Sequence, residues 1–300
     1  MALAGLARFG RLGTAAAGAG LVAGLGTAAI GLGAKETKSE GKPLTEKKSE
    51  SPPVTFYSSW FCPFAQRVWI ALEEKQVAYD YVEINPYEAG VGGRSTKKAL
   101  PLDEKRRRYP EFVAASPRGL VPAMQHGSDV RVCDSMVCVE YVDEAFVGGE
   151  ALLPDSAAER ARVRQWSAFA GANIIPHYYK MLMAQDASAQ AQAKASALAG
   201  LSQWVDAMDA DGPYFLGSRF SMADLALLPW VERLLTVGKT YRGFELDEAD
   251  ARSARLRAWR AACLQRPSVR RTLADEARLV ENYSEYADNS ATSDAARRFK

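Results

Sequence analysis

The chain predicts an α/β unit followed by an all-α unit, set behind an apolar N-terminal extension. Three observations lead there. From Val54 to Ile84 a strand, a helix and a second strand follow one another at their own periods. From Asp155 to about Glu285 nearly every segment is Ala-rich at helical spacing, with Trp166, Phe169, Trp204, Trp230 and Trp259 on apolar stripes. And 300 residues make about two ordinary domains, because single cores rarely grow much beyond that size. The boundaries fall at 54–149 for the first unit and 150–287 for the second, leaving 288–300 as a loose polar tail.

Composition removes whole classes. Hydrophobic residues at 48% and charged residues at 25% describe a soluble globular chain, not a disordered, collagen-like or many-span membrane protein. The 38 basic and 36 acidic side chains leave a net charge of +2, so no overall field is directed at nucleic acid. Four cysteines cannot form a disulfide framework at this length, and their spacing fits no tetrahedral zinc site. With only His126 and His177 besides, no metal is expected.

The elements follow in order. Residues 1–35 carry Arg8, Arg11 and Lys35 and no acidic group, the first carboxylate being Glu36. Such a start suits an organellar transit peptide. The uncharged stretch 12–34 is also long enough to cross a bilayer, although Gly and Ala dominate it and make insertion marginal. A cleaved transit peptide and a retained membrane anchor both stand as readings, with the mitochondrion as first compartment and a plastid as second. Residues 36–53, dominated by Lys, Glu, Ser and Pro and without an aromatic, read as a flexible linker.

Val54-Thr55-Phe56-Tyr57 is a β-branched and aromatic strand. After it Phe64, Val68, Ala71 and Leu72 share one helical face, and Pro63 sits in a first turn where its missing N–H has no partner to lose. Tyr79 to Ile84 alternates as a second strand, which implies a right-handed parallel crossover. Residues 86–108 read as an inserted loop. From Val91 to Arg108 seven basic residues (Arg94, Lys97, Lys98, Lys105, Arg106, Arg107, Arg108) stand against Asp103 and Glu104, so the segment is either a solvated surface or an anion- or partner-docking patch. A short helix at 111–115 precedes Val121-Pro122, a candidate cis peptide at a strand start. Val130 to Cys133 is a further strand, and Asp134-Ser135 opens a helix to Glu144. Ser221 and Asp224 have capping-box spacing.

Cys62, at the mouth of the first helix, is the most chemically loaded position. Exposed amides and the positive dipole end there stabilise a thiolate and predict a lowered thiol pKa. Ala65 occupies the fourth position of the would-be C-x-x-C, so an external thiol must resolve any disulfide formed at Cys62. Cys133, Cys138 and Cys263 read as small hydrophobes. The backbone at Val121 is free for strand-like bonds to an extended peptide, and Asp134-Ser135 at a helix start offers amides and a hydroxyl for a carboxylate and an acceptor for an amine.

These residues, Cys62-Pro63-Phe64-Ala65-Gln66-Arg67, Pro117-Arg118-Gly119-Leu120-Val121-Pro122, Cys133-Asp134-Ser135, Ile174-Ile175-Pro176, Ser221-Met222-Ala223-Asp224 and Pro229 to Leu234, make a chain that resembles the omega class of the glutathione transferases from about Val54 to Ser290. The resemblance implies a thioredoxin-like N-terminal domain with a cis Pro122 and a glutathione-transferase-type helical C-terminal domain, often as a homodimer. It implies glutathione as cosubstrate, a small electrophilic or disulfide second substrate, and thiol-transfer or reductase chemistry on mixed disulfides or dehydroascorbate. By the same resemblance Cys62 is catalytic and forms the mixed disulfide. Phe64, Val121 and Pro122 line the glutathione site, and Asp134 and Ser135 hold its γ-glutamyl end, Asp134 standing where the family carries Glu. Arg108 lies nearest the family's pocket lysine, and Trp230 matches a residue of the second-substrate pocket; Tyr178, by its place on a helix between the domains, is a candidate for the wall of that pocket. The competing reading is an accessory subunit of an organellar membrane complex, suggested by the apolar stretch and the basic insert.

Overall fold

The computed structural model describes residues 53–90 and 95–300. The expectations for residues 1–35 and for nearly all of 36–53 therefore lie outside the described residues. Among the described residues no helix is long and apolar enough to cross a membrane.

Strand β1 (Val54–Ser58) is almost wholly buried and forms the spine of a four-stranded sheet ordered β2-β1-β5-β6. Helix α1 (Pro63–Glu74) carries the chain over to β2 (Asp80–Glu83), which pairs in parallel with β1, so the crossover unit forms as its periodicity predicts. The segment read as an inserted loop is structured instead. It holds the antiparallel hairpin β3 (Tyr87–Ala89) and β4 (Ser95–Ala99), then helices α2 (Leu102–Arg108) and α3 (Pro110–Ala115). Charge hid this order. On β4 the inward position is Lys97 and the outward one Lys98, so the period-2 pattern carries no apolar mark. On α2 the basic run pairs with its own helix: Arg106 with Asp103 at 2.7 Å, Arg108 with Glu104 at 2.6 Å, and Arg107 with Glu104.

Strands β5 (Ala123–His126) and β6 (Val130–Cys133) close the sheet as an antiparallel pair, and the Val121-Pro122 bond before β5 is cis. Helix α4 (Ser135–Ala145) then packs beside α1. Gly148-Gly149 turns the chain away over the end of α1. Gly149 has φ +60°, and a Cβ there would collide with the Glu74 carbonyl, so only glycine fits.

The remainder is helical: α5 (Ala157–Asn173), α6 (Ile175–Met183), α7 (Ala187–Asp206), α8 (Met222–Arg233), a π-helical turn (Leu234–Gly238), α9 (Lys239–Arg242), α10 (Ala251–Gln265), α11 (Pro267–Arg270), α12 (Glu276–Asn282), α13 (Ser284–Ala287) and α14 (Asp294–Phe299). Every residue of α8 is buried. Its capping box forms, and the buried Asp224 carboxylate accepts from Ser221 N–H and Oγ (2.8 Å each), Phe215 N–H (2.8 Å) and Trp259 Nε1 (2.7 Å). The polar tail is not loose. Ser293 Oγ caps α14 by accepting from Ala296 N–H at 3.0 Å, and the buried Phe299 ring stacks on Tyr179 at 4.8 Å and 8°. One continuous hydrophobic core joins α1 and α4 to the helical bundle, while Tyr57, Ile84, Phe112, Val113, Ala115 and Ala123 form a smaller cluster around α3 and the sheet.

Candidate functional site

The strand register assembles the site. Tyr57 pairs with Ala123 and Ala123 with Cys133, so the end of β1, the start of β5 and the end of β6 fall in one row. Residues just beyond that row, Cys62, Val121-Pro122 and Asp134-Ser135, meet along one wall of a cleft of about 840 Å³. Phe64 joins them from the first turn of α1. The facing wall is built from Ser167, Ala168, Gly171 and Ala172 of α5, with Ile175 and Met222. Small side chains on α5 leave that wall hollow. Tyr87 of the hairpin and Asp294, Ala295, Arg298 and Phe299 of α14 complete the lining.

Cys62 is the N-cap of α1, with extended φ −83° and ψ 117°, and its N–H donates to Ser59 O at 2.8 Å. The thiol is partly exposed to the cleft but lies deep in the fold. Burial pushes its pKa up, against the amides of Ala65 and Phe64 and the charges of Arg233 and Lys97, which pull it down. The lowered pKa expected from the helix terminus is thus corrected. The terminal amides act in the expected direction, and desolvation outweighs them.

Three buried cations surround this corner: Lys97, which the sequence names only within a charge run, and Arg67 and Arg233, which it carries within family motifs, none of the three with an expected role at the site. Arg67 donates through Nε and Nη2 to Ala226 O (3.0 and 2.7 Å) and through Nη1 to Ser135 Oγ at 3.2 Å, bracing the start of α4. Burial lowers its pKa to about 9. Arg233 donates to Phe61 O (3.0 Å), Gln66 Oε1 (2.9 Å), Pro229 O (2.8 Å) and Tyr283 Oη (2.9 Å), fixing the backbone immediately before Cys62. Lys97, 1% exposed, points its Nζ at the Phe61 ring, 3.6 Å from the centroid, and burial lowers its pKa to about 7.

Three expected site residues are placed elsewhere. Arg108 is exposed on α2 with its guanidinium on Glu104, and it does not line the cleft. Tyr178 is fully buried between Tyr179 and Tyr283, closing the core. Trp230 is fully buried too, and supports the wall from behind: its ring meets Phe64 edge-on at 4.8 Å and lies 4.4 Å from the Arg67 guanidinium. Asp134 and Ser135 do reach the cleft, and the Asp134 carboxylate also caps α4 by accepting from Met136 N–H at 3.1 Å. The sequence reading missed Arg118 and Arg298 at the cleft, and the Arg164–Glu140 pair at 2.7 Å.

The "Glutathione S-transferase, N-terminal domain" profile matches residues 61–145 and the "Glutathione S-transferase, C-terminal domain" profile matches residues 186–262. The chain is similar to protein IN2-1 of Zea mays, 31% identical over 212 residues, which is 69% of this chain and 77% of that protein. It is similar to glutathione S-transferase omega-1 of Sus scrofa, 26% identical over 74% of this chain and 84% of that one. Among solved structures, glutathione transferase Omega 3C from Trametes versicolor superposes with a TM-score of 0.65 at 32% identity, covering 80% of this chain and 92% of that one. A thioredoxin-like sheet with α1 and α4, a helical bundle behind it, and these matches lead to one conclusion: the chain belongs to the glutathione S-transferase family.

Proposed function

We propose that this glutathione transferase works as an omega-like thiol transferase and reductase, with Cys62 as its single nucleophile. The observation that carries the reading is the common wall on which Cys62, Phe64, Val121, Pro122, Asp134 and Ser135 stand. Glutathione is the family's cosubstrate. Laid along that wall, its peptide backbone would meet the edge presented by Val121, and its γ-glutamyl end would meet the amides and side chains of Asp134 and Ser135.

The chemistry balances with glutathione as the only reductant. The Cys62 thiolate attacks the glutathione sulfur of a mixed disulfide, the old S–S bond breaks, and the substrate thiolate leaves and takes up a proton. A second glutathione, as thiolate, then attacks the Cys62–glutathione disulfide. Oxidised glutathione departs and the Cys62 thiolate returns. Ala65 one turn along provides no resolving thiol, so the second glutathione is required. The hollow α5 wall gives the second substrate room beside the sulfur.

The test is turnover of cysteine–glutathione mixed disulfide by the full chain and by Cys62→Ser. A loss of at least about 100-fold, with a glutathione adduct on Cys62 trapped in the parent, is the expected result. Retained turnover in Cys62→Ser, or glutathione conjugation to an aryl halide as the only activity, overturns it. For residues 1–35 we propose an organellar address or anchor. Detergent-free fractionation of the full chain and of one lacking these residues tests this, and identical distributions refute it.

A further inference from the structure

Helix α2 turns most of its charges to solvent, and Lys105 is its one buried residue, 3% exposed. We propose that Lys105 is a positioning residue for glutathione, its ammonium fixing the 117–122 loop on which the peptide backbone of glutathione lies. The inference deepens the proposed function and rests on its reading of that loop as the glutathione seat.

The loop's own hydrogen bonds carry the argument. Gly119 and Leu120 stand immediately before Val121, and each of their four backbone polar groups has a partner. Ser116, at the end of α3, takes three of them. Its carbonyl accepts from Gly119 N–H at 2.7 Å, and its Oγ accepts from Leu120 N–H at 3.1 Å and donates to Leu120 O at 2.7 Å. These bonds close the turn on itself, so they set its shape and not its place. The fourth group, Gly119 O, accepts from Lys105 Nζ at 3.0 Å. That bond comes from another helix, and it sets where the turn stands against the cleft.

Packing holds the lysine to this geometry. Gly119 has φ +61°, and a Cβ on it would lie 2.8 Å from Lys105 Cδ and 3.1 Å from Leu102 Cδ1. The methylenes of Lys105 thus lie against the glycine while its nitrogen bonds the same residue's carbonyl. From α14, Asp294 Oδ2 stands 3.8 Å from Nζ and supplies a counter-charge. Gly119 and Asp294 both line the cleft, whereas Lys105 does not, so one ammonium outside the cleft ties the glutathione loop to α14. A loop fixed in advance spares glutathione the cost of ordering it, which shows as affinity. The sulfur chemistry at Cys62 does not pass through this contact.

The experiment measures the Kd of S-methylglutathione, which has no free thiol, by calorimetry on the full chain, with KM for glutathione, kcat and the rate of Cys62 alkylation by iodoacetamide. Lys105→Met keeps the apolar stem and removes the donor. It is expected to raise Kd and KM about tenfold, the size of one lost hydrogen bond, with kcat and alkylation within about twofold of the parent. Gly119→Ala, which crowds the same methylenes, gives the same split, and the double variant falls short of the product of the two because both act on one contact. Where Lys105→Met does not fold, Lys105→Gln replaces it. An unchanged Kd in the folded variant overturns the proposal, as does a fall in kcat or alkylation as large as the rise in KM, which is what a merely structural role would give. Hydrogen exchange keeps the two readings apart. If S-methylglutathione fails to protect residues 117–122 in the parent, the seat itself is refuted and this proposal with it. An unchanged Kd with that protection intact removes only the role of Lys105 and leaves Cys62-dependent turnover as it was.

Discussion

The two sides of the cleft differ in how they are specified. The sheet-side wall is made by residues at the ends of regular elements: the N-cap of α1, the residue before a strand, the first residues of α4. Their placement follows from local rules of turns, caps and strand register. The roof is made by Tyr87 and α14, brought there by contacts far along the chain, such as those of the buried Lys97 with Asn282 and Glu285. A local wall and a long-range roof should respond differently to mutation. Damage beneath the wall weakens fold and site together, whereas damage to the roof changes the site more than the chemistry.

Trp230→Ala is the largest test of this difference. Trp230 is fully buried behind Phe64 and Arg67, so its removal leaves a cavity under the wall and costs about 3–5 kcal/mol in urea unfolding. Both KM for glutathione and kcat suffer, because Phe64 loses its backing. If stability falls by less than about 1 kcal/mol, Trp230 is a pocket residue, as the family resemblance implied, and its place in the core is wrong.

Phe299→Ala comes next and acts on the roof. The ring is buried and stacked on Tyr179, and it lines the cleft. A loss of about 2–4 kcal/mol is expected, at or below the usual range for buried Phe because the helix lies at the chain's end. KM for a bulky disulfide substrate rises several-fold, while the alkylation rate of Cys62 stays within about twofold of the parent. A kcat loss matching that of Trp230→Ala would erase the distinction between roof and wall.

The same division explains what could be read from the sequence. Strand β1, helix α1, strand β2 and helix α4 were legible because apolar spacing and caps mark them directly. So were Cys62, Val121-Pro122 and Asp134-Ser135, whose chemistry belongs to element ends. The hairpin was not, since its inward position on β4 is a lysine and its charge run resembles a solvated loop. Helix α14 was hidden by polarity, although Ser293 as N-cap with Ala296 and Phe299 three and six residues on was a readable signal. The thiol pKa was misjudged for a related reason: the helix terminus is visible in sequence, and the depth at which the fold buries Cys62 is not.

Arg108→Ala is the smallest effect and the sharpest test of where the wall ends. In the structure Arg108 forms an exposed i,i+4 pair with Glu104, a carboxylate it shares with Arg107. Such pairs contribute about 0.3–0.5 kcal/mol, and Arg107 can still serve Glu104 when Arg108 is gone. Stability should therefore change by less than about 0.5 kcal/mol, and KM for glutathione should stay within about twofold of the parent. A tenfold rise in KM without loss of stability would place Arg108 against glutathione after all, in the place of the family's pocket lysine. The basic run would then belong partly to the site, and the boundary drawn between a local wall and a self-paired helix would have to move.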